Sequence, residues 1–294
     1  YELSYAYEVN REYSKALAGY EKTLALDPDF NAVLNRAALT FLRMGEPAKA
    51  VPYLERYAAI NPDDPKPRDS IAQMLLLTGR LDDAAAKYKE VLAAYPDFTW
   101  SRSGLAYVHA LQERYPDALG CFDEMVARAP AESVKATGRW LRAFLRHFLG
   151  QWDRALAEFR DLKAQAEKGG DEYLLMATNW MLVFVHLDRQ EYEEAERSIE
   201  AAVGLNAKRN PARPSMTGTM SAILRARLEI ARGRPEAALE KLKASEALYA
   251  DLDPAAREGF SFPWMSTMTE AELDAYIDRL LDSLEACDLG GHPL

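Results

Sequence analysis

Prolines stand at Pro28, Pro62, Pro96 and Pro130, and alanines at Ala16, Ala50, Ala84 and Ala118; both series advance in steps of 34 residues. Two independent marks in one register make the chain an internal repeat, and a fixed period of this length narrows the possible folds to stacked supersecondary units. A bulky residue follows each alanine four positions later, as Tyr20, Leu54, Tyr88 and Phe122. The same pairing continues at Ala155/Phe159, Ala195/Ile199 and Ala238/Leu242, where the steps lengthen to 37, 40 and 43 residues. Seven units therefore cover about residues 1–250.

Each unit reads as two helices. In Asn31 to Met44 the apolar residues Leu34, Ala37, Ala38 and Phe41 fall at helical spacing. Gly45-Glu46-Pro47 then stops and restarts the chain, because glycine accepts a left-handed cap and proline suits a first helical turn. The second helix places Ala50, Leu54 and Tyr57 on one face, and Asn61-Pro62 closes it. A turn glycine recurs at Gly79, Gly150 and Gly233, each five residues before the marked alanine. One such pair cannot bury its apolar face alone, so the pairs must stack.

A helix–turn–helix unit of this length, small in mid-helix, bulky one turn later and closed by proline, resembles the tetratricopeptide repeat. Leu34, Ala37, Ala38, Phe41, Gly45, Ala50, Leu54, Tyr57 and Pro62 carry the resemblance in one unit; Ile71, Ala72, Leu75, Gly79, Ala84, Tyr88, Val91 and Pro96 carry it in the next. It implies an all-α, right-handed solenoid of about seven helix pairs without β-sheet. The last three units depart from the pattern: they lose the closing proline and place Arg142, Arg146, Arg225 and Glu229 where apolar residues are usual. Beyond residue 250, Gly259 to Trp264 reads as a connector. Thr269 and Glu272 then open an amphipathic helix with Leu273, Ile277, Leu280, Leu281 and Leu284. Residues 251–294 are thus expected to form a connector and a C-terminal capping helix. Counting back from Ala16, Tyr1 falls on the fifth position of its repeat, so the first repeat is expected to be truncated and further chain is expected upstream.

Composition excludes several function classes. The net charge of −10 argues against nucleic acid as a partner. No apolar run reaches the length of a membrane span, and no secretory leader is visible, so the expected location is cytoplasmic. The two cysteines, Cys121 and Cys287, form neither a disulfide framework nor a metal motif. His109, His147, His186 and His292 show no metal-ligand spacing, and no phosphate-binding or nucleophile-elbow motif occurs. His109 and His186 are expected to be satisfied core residues. Glu191, Glu193, Glu194 and Glu196 are expected to form a solvated helix start, and Gly169-Gly170 a helix cap. Neither an enzyme activity, nor a cofactor, nor a metal is expected.

The resemblance also implies a concave groove lined by the first helix of each unit, mainly at its second, fifth, ninth and twelfth positions. These positions hold Trp100, Ser103, Tyr107 and Ala110 in the fourth unit. In the fifth they hold Thr137, Trp140, Phe144 and His147, and in the sixth Ala177, Trp180, Phe184 and Leu187. Large aromatics on a concave surface are what a peptide site needs, because they supply contact area at low entropic cost. The candidate peptide-binding groove is therefore Trp100, Tyr107, Arg139, Trp140, Phe144, His147, Trp180 and Phe184. Burial of the same aromatics as core is the competing reading. The family's clamp for acidic C-termini, which the resemblance implies would need Lys with Asn or Lys with Arg a turn apart, is absent: Asn35 is followed by Leu39, and Lys66 by Ser70. The resulting expectation is a non-catalytic scaffold for a protein or peptide partner, of unspecified oligomeric state. The alternative is a regulatory or sensing array attached to an enzymatic or DNA-binding domain preceding Tyr1.

Overall fold

The computed structural model of the chain describes residues 1–209, 211 and 214–250, with side chains beyond residue 243 and at 214–216 left aside. The expected connector, the helix of Leu273 to Leu284 and the Gly290-Gly291 pair lie outside the described residues. Among the described residues there are fourteen α-helices and no strands. They are α1 (Glu2–Val9), α2 (Tyr13–Leu26), α3 (Asn31–Arg43), α4 (Pro47–Ile60), α5 (Pro65–Leu77), α6 (Leu81–Ala94), α7 (Trp100–Leu111) and α8 (Tyr115–Arg128). There follow α9 (Glu132–Phe148), α10 (Trp152–Gly169), α11 (Glu172–Asp188), α12 (Tyr192–Arg209), α13 (Pro214–Ala231) and α14 (Pro235–Ala250). The fold is the expected all-α helical repeat, and its helices alternate as first and second members of seven pairs.

The turn inside each pair is the same device seven times. The residue five positions before each marked alanine has positive φ: Arg11, Gly45, Gly79, Glu113, Gly150, Gln190 and Gly233. At Gly45 the N–H bonds to the carbonyl of Leu42, and the next N–H, of Glu46, reaches back to Phe41. The same two bonds recur at all seven turns and satisfy the last carbonyls of the first helix. A side-chain Cβ at Gly79 would meet nothing within 4 Å, so glycine is used there for its φ of +75° and not for want of space. Arg11, Glu113 and Gln190 hold the same conformation at the steric cost of a Cβ.

The marked residues are the core. Ala16, Ala50, Ala84, Ala118, Ala155, Ala195 and Ala238 are fully buried, and their bulky partners Tyr20, Leu54, Tyr88, Phe122, Phe159, Ile199 and Leu242 are at most 3% exposed. The alanine lets the second helix of a pair come close to its neighbours, and the larger side chain one turn on fills the gap that remains.

Residues 1–142 and the residues from 143 onward form two compact units. In the first, each helix packs on its partner and on the first helix of the next pair, and α3, α5 and α7 touch in succession. One apolar cluster runs through it from Leu17 and Tyr20 to Leu105 and Val108. Its N-terminal end is closed by a buried carboxylate. Glu8 of α1 accepts from the Tyr20 hydroxyl at 2.5 Å, from Arg43 at 2.6 Å and from Arg36 at 3.1 Å. In the second unit α11 packs on α10 and α12, and α12 on α13.

The charges at apolar repeat positions are paired. In the first unit Arg142 bonds Asp123 of α8. In the second, Arg146 bonds Glu158 at 2.8 Å, Arg225 bonds Glu196 at 2.9 Å, and Glu229 bonds Arg232 at 2.8 Å. The three arginines thus lay their methylenes in the helix interface while their heads meet an acid on the neighbouring helix, whereas Glu229 is paired one turn along its own chain. The acidic run opening α12 is correspondingly less solvated than expected. Glu191 contacts His186 and Arg189, Glu194 contacts Arg197, and only Glu193 reads as a plainly exposed member. Gly170 caps α10 in the left-handed region, as its position suggested.

Two substitutions check this architecture by urea denaturation. Ala84→Leu should overpack the α5–α6 pair and cost ~1–3 kcal/mol, and an unchanged midpoint would mean the register is wrong. Gly79→Ala should cost ~1 kcal/mol although no contact is broken, because alanine resists positive φ.

Candidate functional site

An exposed apolar stripe of the first unit runs along α7. Trp100, Tyr107 and Leu111 are spaced seven and four residues apart, which puts them on one helical face, and they are 47%, 43% and 63% exposed. Tyr107 is held by an edge-on contact with Phe122, ring centroids 6.3 Å apart at 83°. Leu77, at the end of the adjacent α5, is also exposed.

Polar contacts tie the first helices together beside this stripe. The Ser70 hydroxyl of α5 donates to Asn35 of α3 at 3.2 Å, and the Ser101 hydroxyl of α7 donates to Asp69 of α5 at 2.5 Å. Burial pushes the Asp69 carboxyl above the usual range, and the Ser101 bond offsets only part of that shift. Tyr88 of α6 reaches the same place from behind. A Cβ on Gly104 would lie 2.2 Å from its ring and 2.6 Å from its hydroxyl, so the absence of a side chain at Gly104 is what admits the Tyr88 tip. Burial, then Asp69 and Tyr107, push the Tyr88 phenol upward.

The other expected groove residues fall out differently. Arg139 and Trp140 are half-buried on α9 in the first unit. In the second unit Phe144, His147 and Phe184 are half-buried. His147 Nε2 lies 2.6 Å from an Asp188 carboxylate oxygen, and the Arg227 guanidinium sits over the Phe184 ring at 5.1 Å. Trp180 is a correction. It is 3% exposed and packs with Val183, Ile199, Ala202 and Leu224, so its ring is core and not groove. The reason is that the middle of α11 is covered on most sides: residues 177–183, 185 and 186 are buried, and among 177–186 only Phe184 is half-buried. The expectation that aromatics at matching repeat positions share one environment fails at that helix. Asp69 and Ser101, in contrast, were not singled out from sequence, and Tyr88 only as the bulky residue after Ala84. The available signal was positional, since Asp69 stands 34 residues after Asn35 and 34 before Ser103.

His109 and His186 are both buried, as expected. His186 Nδ1 lies 2.7 Å from a Glu191 carboxylate oxygen, but His109 Nδ1 has no hydrogen-bond partner, so only His186 is satisfied there. Among the described residues, no group of three metal-ligating side chains occurs and no helix is long and apolar enough to cross a membrane.

Tetratricopeptide repeat models match residues 1–65, 75–137 and 219–240. The chain is a tetratricopeptide repeat protein. It is similar in fold to PilW, a widely conserved type IV pilus biogenesis factor, at 13% identity and a TM-score of 0.56, covering 79% of this chain and 98% of that one. It is also similar to a chain of the APC/C hetero-tetramer Cut9–Hcn1, at 14% identity and a TM-score of 0.54, covering 94% of this chain and 53% of that one. YrrB, described as a tetratricopeptide repeat protein with an unusual peptide-binding site, aligns at 16% identity and a TM-score of 0.43 over 67% of this chain and 93% of its own. No curated protein matches the chain. Tetratricopeptide repeats are interaction modules, and the array is accordingly a protein–protein interaction scaffold.

Burial lowers the proton affinity of both His109 and His186 below the ordinary histidine value of 6.5. The folded chain therefore binds fewer protons than the unfolded chain near that pH, and stability must fall as the pH drops through it. The urea midpoint is expected to decline between about pH 7 and pH 6, and His109→Phe should flatten the slope. A slope untouched by that substitution and by its counterpart at His186 would refute the assignment.

Proposed function

We propose that this tetratricopeptide repeat protein binds an extended or helical peptide segment of a partner protein, and that the exposed face of α7 beside α5 is a principal contact surface. The observation that carries the reading is the aromatic pair Trp100 and Tyr107, each more than two-fifths exposed on one helical face. Large apolar side chains aligned in the open are the usual mark of an interaction site, since scattered single residues are common but stripes are not. Tyr107 is braced by Phe122, so little side-chain freedom is lost when it meets a ligand.

The neighbouring α9 residues Arg139 and Trp140 extend this reading within the first unit. In the second unit, Phe144, His147 and Phe184 form the corresponding candidate contacts, and Trp180 supports them from the core. The reading assigns no catalytic step to the chain. It makes the scaffold's function one of selection among partner segments.

Peptides selected from a displayed library against the full chain provide the test. Trp100→Ala and Tyr107→Ala should each weaken the selected peptide by ~2 kcal/mol or more, with melting temperatures close to the parent's. Trp180→Ala should behave oppositely, losing ~3–5 kcal/mol of stability because it empties a core position. Selected peptides whose affinity is indifferent to both α7 substitutions would place the contact surface elsewhere.

A further inference from the structure

Beside the exposed aromatics of α7 lies a carboxylate that no described residue neutralises. Asp69 accepts one hydrogen bond, from Ser101, and among the described residues no lysine, arginine or histidine stands within ion-pair distance of it. Lys66, one turn earlier on α5, makes no pair with it, and Arg68 is turned away to the Pro62 carbonyl. Arg102 likewise faces Glu124 and the Pro96 carbonyl. This is unusual here, because the buried acids Glu8, Glu158 and Glu229 and the half-buried Glu196 all have cationic partners.

A second observation points to the same place. Tyr88 is 2% exposed as a whole, but its hydroxyl oxygen is not fully enclosed and makes no hydrogen bond among the described residues. Its tip lies in the notch left by Gly104, between Ser101 and Tyr107 on α7, where both Asp69 and Tyr107 act on it. That oxygen is therefore left for water or for a ligand to bond. The place thus offers a carboxylate, an open phenol oxygen and two half-exposed aromatic faces, all within the first unit. That is the complement of a basic side chain. The ammonium or guanidinium pairs with the carboxylate and is bonded by the phenol oxygen, while its methylenes and charge lie against Trp100 and Tyr107.

We propose that Asp69, Tyr88, Trp100 and Tyr107 form a subsite for a lysine or arginine side chain of the bound peptide. The inference rests on the peptide-binding reading above and names the chemistry that the partner segment must carry. It also gives the acceptor set a sign opposite to that of a clamp for acidic tails.

The test uses the full chain and capped alanine pentapeptides that carry lysine, arginine, norleucine or glutamate at the centre. Binding is followed by the indole N–H resonance of Trp100, assigned by its loss in Trp100→Phe. The lysine and arginine peptides should displace that resonance saturably, the norleucine peptide about ten-fold more weakly, and the glutamate peptide not at all. Asp69→Asn keeps an acceptor for Ser101, and it should reduce the lysine peptide to the norleucine level with an unchanged melting temperature. Should that variant fail to fold, the unaltered chain serves: the preference for lysine over norleucine must vanish as Asp69 is protonated at low pH. Equal binding of the lysine and norleucine peptides would overturn the basic subsite and leave the aromatic surface standing. Butylamine binding as well as the lysine peptide would show a site for small amines and overturn the peptide assignment. No displacement by any peptide would overturn both.

Discussion

Everything in this array depends on a single backbone event repeated seven times, a residue in the left-handed region that ends one helix and starts the next. It fixes the angle at which the second helix leaves, and the interval of five residues then brings the marked alanine to the closest point of approach. Because the two bonds across the turn are main-chain bonds, the device survives wide variation in side chains. Four turns use glycine, and three use residues that pay a modest steric penalty. The alanine and the bulky residue one turn later are then chosen by packing alone.

This explains why the fold was legible in the sequence. A repeat writes the same physical requirement many times, so even its weaker copies can be read by register. The charged residues of the later units show the limit of that reading. Arg142, Arg146 and Arg225 look like breaks in an apolar pattern, and the structure shows each one reaching an acid on an adjacent helix. Their partners Asp123, Glu158 and Glu196 carry no mark in the repeat, so the compensation is visible only in three dimensions. Such pairs stand in the interface at little net gain in stability, but a lone half of one would be costly.

The candidate site was legible in part for the same reason. Trp100 and Tyr107 are exposed on one face of α7, but Trp180, at a position equivalent to Ser103 and Trp140, is core. Register gives the direction of a side chain relative to its own pair. It does not say what else covers that direction, and on α11 most of the circumference is covered. The run from Met181 to Val185 held the warning, since a groove helix needs one polar or open face. Asp69 escaped notice for a different reason. A carboxylate on a helix is ordinarily solvated, and only the absence of a cation around it, a property of its neighbours, sets it apart.

The carboxylate of Glu8 has a consequence for how the first unit comes apart. Helices in a stacked array are ordinarily held by their nearest neighbours alone. Here α1 is fastened past its own partner, to Arg36 and Arg43 on α3, by a group with no water around it. Separating α1 from α3 breaks both ion pairs and the Tyr20 bond at once, so one carboxylate couples the packing of α1, α2 and α3 across the boundary between two repeats.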